Sequence, residues 1–126
     1  MVDFKQKEKY DINDLLEIMR LLRAPGGCPW DAQQTHMSIR KNLIEETYEV
    51  IEAIDKDDKE LMTEELGDLL MQVAFHAQME QEAGNFDFGD VTDGVCKKLI
   101  ERHPHVFGEV EVSGVGDVLN NWDAIK

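Results

Sequence analysis

Residues 64–77 read Glu-Glu-Leu-Gly-Asp-Leu-Leu-Met-Gln-Val-Ala-Phe-His-Ala. Placed at 100° per residue, Leu66, Leu69, Leu70, Met71, Val73, Ala74, Phe75 and Ala77 cover nearly the whole circumference of a helix, the pattern of an element at the centre of a bundle or an oligomer. The helix is expected from about Lys59 to Ala83, where Gly84-Asn85 ends it. Two acids interrupt the apolar pattern. Glu65 and Asp68 stand three residues apart, so they share one face. The same arc holds Leu61, Gln72, Phe75 and Met79, so these carboxylates point into packing rather than water.

Upstream lies a second acidic cluster, Glu45-Glu46-Thr47-Tyr48-Glu49. It sits on a helix expected from His36 or Ser38 to Ile54, with Ser38 as the N-cap. Glu46 and Glu49 repeat the spacing of three, so two such helices packed together converge four carboxylates. The plainer alternative is a solvated acidic face, which the placement of Glu65 and Asp68 on the apolar arc opposes. Uncompensated burial costs several kcal/mol per ion, roughly, and a divalent cation removes that cost directly. Oxygen-only ligands favour Mg²⁺ or Mn²⁺ over zinc or copper. A di-iron bundle would want Glu-x-x-His on two helices, whereas Glu49 and Asp68 stand at those positions. The connection Asp55-Lys56-Asp57-Asp58-Lys59 lacks the ligand pattern of a calcium loop and reads as a solvated turn.

No stretch alternates apolar and polar residues for long enough to form a sheet, and the class is all-α, a four-helix bundle. A first helix is expected over Ile12–Arg23, stopped by Ala24-Pro25-Gly26-Gly27-Cys28-Pro29. That loop has neither the spacing nor the preceding strand of a phosphate cradle, and reads as a helix-ending turn. A fourth helix should run from Phe88 or Gly89 to His103 and halt at Pro104. Residues 108–118 read as a loop before a short helical turn from Val118 to Ile125, and residues 1–10 as a flexible lead. The 126 residues are expected to form a single domain. Thirteen Lys and Arg against 27 Asp and Glu give a formal charge of −14, which disfavours polymeric nucleic acid and anionic membranes as partners. With neither an apolar leader nor a membrane-length apolar run, a cytoplasmic protein is expected. Cys28 and Cys96 suggest no disulfide framework or thiolate metal site.

Taken together, Glu-Glu-x-x-Glu at residues 45–49 and Glu-x-x-Asp at 65–68 resemble the MazG-type all-α nucleoside triphosphate pyrophosphohydrolases. Gly27-Cys28-Pro29-Trp30-Asp31, Gln34-Thr35-His36, residues 64–70, Phe75-His76-Ala77 and residues 102–107 are similar to the amino-terminal module of bacterial MazG proteins. The resemblance runs from about Leu15 to the C-terminus. It implies hydrolysis of a nucleoside triphosphate to the monophosphate and pyrophosphate, a nucleotide-pool house-cleaning role, and Mg²⁺ held by Glu46, Glu49, Glu65 and Asp68. It also implies phosphate contacts from Lys98 and Arg102, and closure of the site by Trp122 and Lys126. Bacterial MazG proteins commonly carry two such modules, so the chain is expected to be either a stand-alone enzyme or one half of a longer protein. A weakly active or non-catalytic dimerisation or regulatory module is the alternative, and a monophosphate phosphatase a third reading.

Other residues read less sharply. Trp30 either walls a nucleobase pocket or caps the core. Glu45 projects about 100° away from Glu46 and reads as solvated rather than as a general base. Lys97, Arg40 and Lys41 are lesser phosphate candidates. His36, His76, His103 and His105 pair with no nucleophile or acid at a recognisable spacing, and His76 reads as a satisfied core histidine. The apolar circumference around Leu66, Leu70, Val73 and Ala77 leads to the expectation of a homodimer or a dimer of dimers.

Overall fold

A computed structural model describes residues 1–125. Seven helices and no strand occur among the described residues: α1 (Ile12–Arg23), α2 (Pro29–Gln33), α3 (His36–Asp55), α4 (Lys59–Glu82), α5 (Phe88–Arg102), α6 (Pro104–Phe107) and α7 (Val115–Ile125). The fold is all-α, and all four long helices stand within a residue or two of their expected limits. The helices group into two compact units, Met1–Phe88 and Gly89 onward.

In the first unit, α3 and α4 form the principal packed pair, and α1 lies against α4. The three-residue turn between α3 and α4 makes the pair antiparallel. Asp57 adopts φ of 50° there, a left-handed conformation that Asp tolerates better than most side chains. Asp58 then caps α4 by accepting from the Leu61 amide at 3.1 Å. Met19, Ile39, Ala74, Phe75 and Met79 form the buried core, with Leu15, Leu16 and Leu22 packed against it. Arg23 holds α1 to the far end of α4 through Glu82, at 2.9 Å, and its guanidinium lies over the Phe75 ring.

Local chemistry corrects several expected boundaries. Thr35, not Ser38, is the N-cap of α3. The Thr35 hydroxyl accepts from the Ser38 amide at 3.2 Å, while Ser38 Oγ accepts from the Thr35 amide at 2.8 Å, a capping box with serine in the place usually held by Glu or Gln. The helix-ending turn after α1 is followed at once by α2, because Pro29 is preorganised for the first helical position and has no amide to leave unpaired. Pro104 likewise ends α5 and starts α6. The loop expected over 108–118 is shorter, since α7 begins at Val115. Asp117 draws the chain into a turn there, accepting from the Ser113 amide at 3.0 Å and its hydroxyl at 2.8 Å.

Gly27 is required by close approach: a Cβ there would lie 2.1 Å from the Leu21 carbonyl oxygen, which belongs to the helix backbone. Gly94, inside α5, faces open space. Gly27→Ala should therefore destabilise the protein by about 1–3 kcal/mol or more, whereas Gly94→Ala should stabilise it by about 0.5–1 kcal/mol. Denaturant titration of the two variants beside the parent checks both signs.

Candidate metal centre

Antiparallel packing of α3 on α4 sets Glu46 opposite the Glu65–Asp68 turn. One carboxylate oxygen from each of Glu46, Glu65 and Asp68 lies within 4.8 Å of the others. Glu65 is 9% exposed, and Gln72, Phe75 and Met79 on the same arc are buried, as the helical-wheel reading requires. Glu49, one turn beyond Glu46, is exposed and stands outside this group of three. Its charge nevertheless reaches both Glu46 and Glu65.

The electrostatics follow from that crowding. Partial burial raises the carboxyl of Glu46, and the charges of Asp68, Glu49 and Glu45 add to the rise, while a hydrogen bond with Glu65 offsets part of it. Partial burial also raises Glu65, followed by the charges of Glu49, Asp68, Glu46 and Glu64. Both groups therefore hold protons above the ordinary carboxyl value of 4.5 unless a cation takes the protons' place. An octahedral shell of oxygens at ~2.1 Å from an ion has neighbouring atoms about 3–4 Å apart. The observed separations, all within 4.8 Å, are of that order. With oxygen donors alone, it suits a hard divalent ion.

A family model described as the MazG nucleotide pyrophosphohydrolase domain matches residues 34–107, the span that carries both acidic motifs. The chain belongs to this family. It is 50% identical over 113 residues to the nucleoside triphosphate pyrophosphohydrolase/pyrophosphatase MazG of Thermotoga maritima, covering 90% of this chain and 43% of that protein. It is 49% identical over 116 residues to the nucleoside triphosphate pyrophosphohydrolase of Escherichia coli strain K12, covering 91% and 44%. The chain thus spans less than half the length of these curated relatives. Among solved structures, a mazG-related protein from Thermotoga maritima superposes with a TM-score of 0.73 at 29% identity, covering 90% of this chain and 96% of that one.

The remaining family-motif residues fall as follows. In the second unit, Lys98 and Arg102 lie one turn apart on α5. The ion pair there is Lys97 with Asp93 at 2.8 Å, and neither Lys98 nor Arg102 meets a carboxylate among the described residues. The Arg102 guanidinium instead sits 5.8 Å from the centre of the Trp122 ring, a cation–π contact, and His103 meets the same ring edge-on at 5.3 Å. The indole N–H of Trp122 and Nδ1 of His105 are buried without a partner among the described residues. Lys126 lies outside the described residues. In the first unit, Trp30 is 56% exposed and so does not cap the core. Glu45 is exposed, as expected of a solvated residue.

His76 is not a satisfied core histidine: it is half-buried, its Nδ1 meets Nδ1 of His36 at 2.7 Å, and its Nε2 has no partner among the described residues. Sequence reasoning also passed over Gln72, whose side-chain oxygen is buried without a partner. Its position four residues after Asp68, on the arc already identified, was the available signal.

Protonation competes with metal binding at this centre. Because the Glu46 and Glu65 carboxyls are raised, affinity for a divalent cation should fall as pH is lowered through the range just above 4.5 and level off at higher pH. In the metal-free chain the sign is opposite: stability falls as pH climbs from 4.5 through the raised values, because the folded state then binds more protons than the unfolded. Calorimetric Mg²⁺ titrations between pH 5 and 8, with Glu65→Gln alongside, check this; the variant should bind at least about tenfold more weakly.

Proposed function

We propose that the chain catalyses divalent-metal-dependent hydrolysis of nucleoside triphosphates, cutting between the α and β phosphates to release the monophosphate and pyrophosphate. The observation that carries this reading is the convergence of Glu46, Glu65 and Asp68 from two helices onto one point, in a domain whose relatives from Thermotoga maritima and Escherichia coli bear the name nucleoside triphosphate pyrophosphohydrolase. Glu46, Glu65 and Asp68, with Glu49 as a fourth ligand, would hold Mg²⁺ or, in its place, Mn²⁺. Such an ion, when bound, neutralises phosphate charge and lowers the pKa of a coordinated water.

The chain's own residues supply the rest. Lys98 and Arg102 are cations without a carboxylate partner among the described residues of a strongly acidic chain, and their assigned role is to donate to phosphate oxygens. Trp122 keeps the Arg102 guanidinium in place by cation–π contact, and with Lys126 it would close the site. The exposed Trp30 would wall the nucleobase. A house-cleaning role in the cytoplasmic nucleotide pool fits this activity, and no helix among the described residues is long and apolar enough to cross a membrane.

The protein is further proposed to form a homodimer or a dimer of dimers. Leu66, Leu70 and Val73 on α4, and Ile44, Tyr48 and Ile51 on α3, are exposed in the single chain, each set an apolar stripe at helical spacing that a second copy would cover. Ala77, on the same side of α4 as Leu70 and Val73, is already buried within the chain. These faces also favour the second reading, a helical dimerisation module without turnover.

Product analysis separates the readings. Incubation with Mg²⁺ and a panel of NTPs and dNTPs should yield pyrophosphate; inorganic phosphate would indicate a phosphatase, and neither product a non-catalytic module. Asp68→Asn and Glu49→Gln should abolish turnover while helicity is retained. Lys98→Ala and Arg102→Ala should each lower kcat/KM about ten- to a hundredfold without loss of metal. Arg102→Lys should restore only part of the loss, because a point ammonium cannot copy a two-pronged contact. Light scattering at micromolar concentration should give a mass of at least two chains; a monomer would remove the assembly from the proposal.

A further inference from the structure

Two of the motifs that mark the family, Gln34-Thr35-His36 and Phe75-His76-Ala77, play no part in the metal centre. The fold brings their histidines together. The rings of His36, at the start of α3, and His76, in the middle of α4, lie nearly parallel with centres 5.0 Å apart, and their Nδ1 atoms are 2.7 Å apart. His36 Nε2 lies 3.1 Å from Oε1 of Glu80, whose Oε2 accepts from the Asn85 side-chain amide at 3.1 Å. The hydrogen bonds from Asn85 and then His36 hold the Glu80 carboxyl below its ordinary value, so Glu80 is an acceptor and His36 Nε2 carries a hydrogen.

The proton count at the pair is then restricted. With both rings neutral, His36 Nδ1 is a bare acceptor and His76 donates to it, leaving the His76 Nε2 lone pair as the buried atom without a partner. One added proton is accommodated: His36 becomes an imidazolium donating to Glu80 and to His76, whose remaining hydrogen moves to Nε2. A second is not. Both Nδ1 atoms would then carry hydrogens pointing at each other across 2.7 Å, between two cations set edge to edge.

We infer that the His36–His76 pair is a pH-sensitive catch, fastening the α2–α3 junction to α4 while the two rings share at most one added proton and releasing it when both become cationic. The junction is a connected unit: Gln34 donates to the Trp30 carbonyl at 2.8 Å, Ser38 Oγ donates to the Gln34 side-chain oxygen at 2.8 Å, and Thr35 caps α3. Loss of the histidine contact therefore removes one tie on the segment that carries Trp30 and leaves it held by Arg23, which donates to the Asp31 and Gln34 carbonyls at 2.6 and 3.1 Å. Glu80 is the ionised group facing the pair from α4. Arg40 stands one turn along α3. On α1, Arg23 packs over Phe75 with its charge matched by Glu82, and Asp31 lies on α2. Burial, and then the neighbouring His36, hold His76 below its ordinary value, the direction a shared-proton pair requires.

The catch needs neither metal nor nucleotide, so its test stands apart from the catalytic reading. Histidine ring-nitrogen NMR across pH 4 to 8 should show the pair taking up its protons in two coupled steps more than about one pH unit apart, the second below the ordinary histidine value of ~6.5. Amide-exchange protection at residues 37–39 should drop about two- to tenfold through that second step, the worth of one net hydrogen bond. In His36→Gln that protection should already be low and pH-independent over the same range. His76→Gln should behave alike, and the wild-type titration remains decisive if that variant folds poorly. Independent titration of both histidines in the ordinary range overturns the inference, as does wild-type protection that matches His36→Gln at every pH.

Discussion

Burial of Glu65 is the constraint from which the first unit takes its form. A carboxylate on the core-facing arc of α4 is matched across the seam by Glu46, so the tightest helix pair of the chain brings like charges together. Such a charge pair 4 Å apart costs about 1 kcal/mol in water and about 4 kcal/mol at the effective dielectric of a protein surface. Each well-buried apolar side chain returns about 1.5–3 kcal/mol, and Met19, Ile39, Phe75 and Met79 lie on the same arc or against it. Packing below the acids therefore outweighs the repulsion between them, and the cluster stays assembled in its protonated or metal-bound form. The site is held by the core, and the core tolerates the site.

Helix α4 reads as two helices in one. Its inner arc steps from Asp68 through Gln72 and His76 to Glu80 at intervals of four, a polar ladder beside the apolar core. Two atoms on that ladder, the Gln72 side-chain oxygen and His76 Nε2, are buried without partners among the described residues, a costly arrangement. Its outer arc presents Leu66, Leu70 and Val73 to solvent. Helix α4 thus carries Ala74, Phe75 and Met79 into the core together with this polar ladder, and leaves leucines on its opposite side.

Sequence alone determined the all-α class, the four long helices and which of their carboxylates share a face. Each follows from local rules: the 3.6-residue period places Glu65 and Asp68 on the arc of Phe75 and Met79, and Gly and Pro mark where helices stop. Short-range chemistry was partly misread for the same reason, since Pro29 and Pro104 begin helices as readily as they end them, and Ser113 with Asp117 makes a helix start of a glycine-rich run. The position of Trp30, open to solvent instead of over the core, had no local signature.

Only the tertiary structure decided which distant groups meet. His36 and His76 are 40 residues apart and His36 and Glu80 are 44, and no spacing along the chain encodes a contact made by folding α3 back on α4. The register of that antiparallel pair chose Glu46, rather than Glu49, as the third member of the closest acidic group. The stacking of Arg102 on Trp122 likewise depends on the path the chain takes between α5 and α7. Helical periodicity fixes which residues share a face within one element, whereas the facing of two elements depends on turn geometry and packing, which act on the chain as a whole.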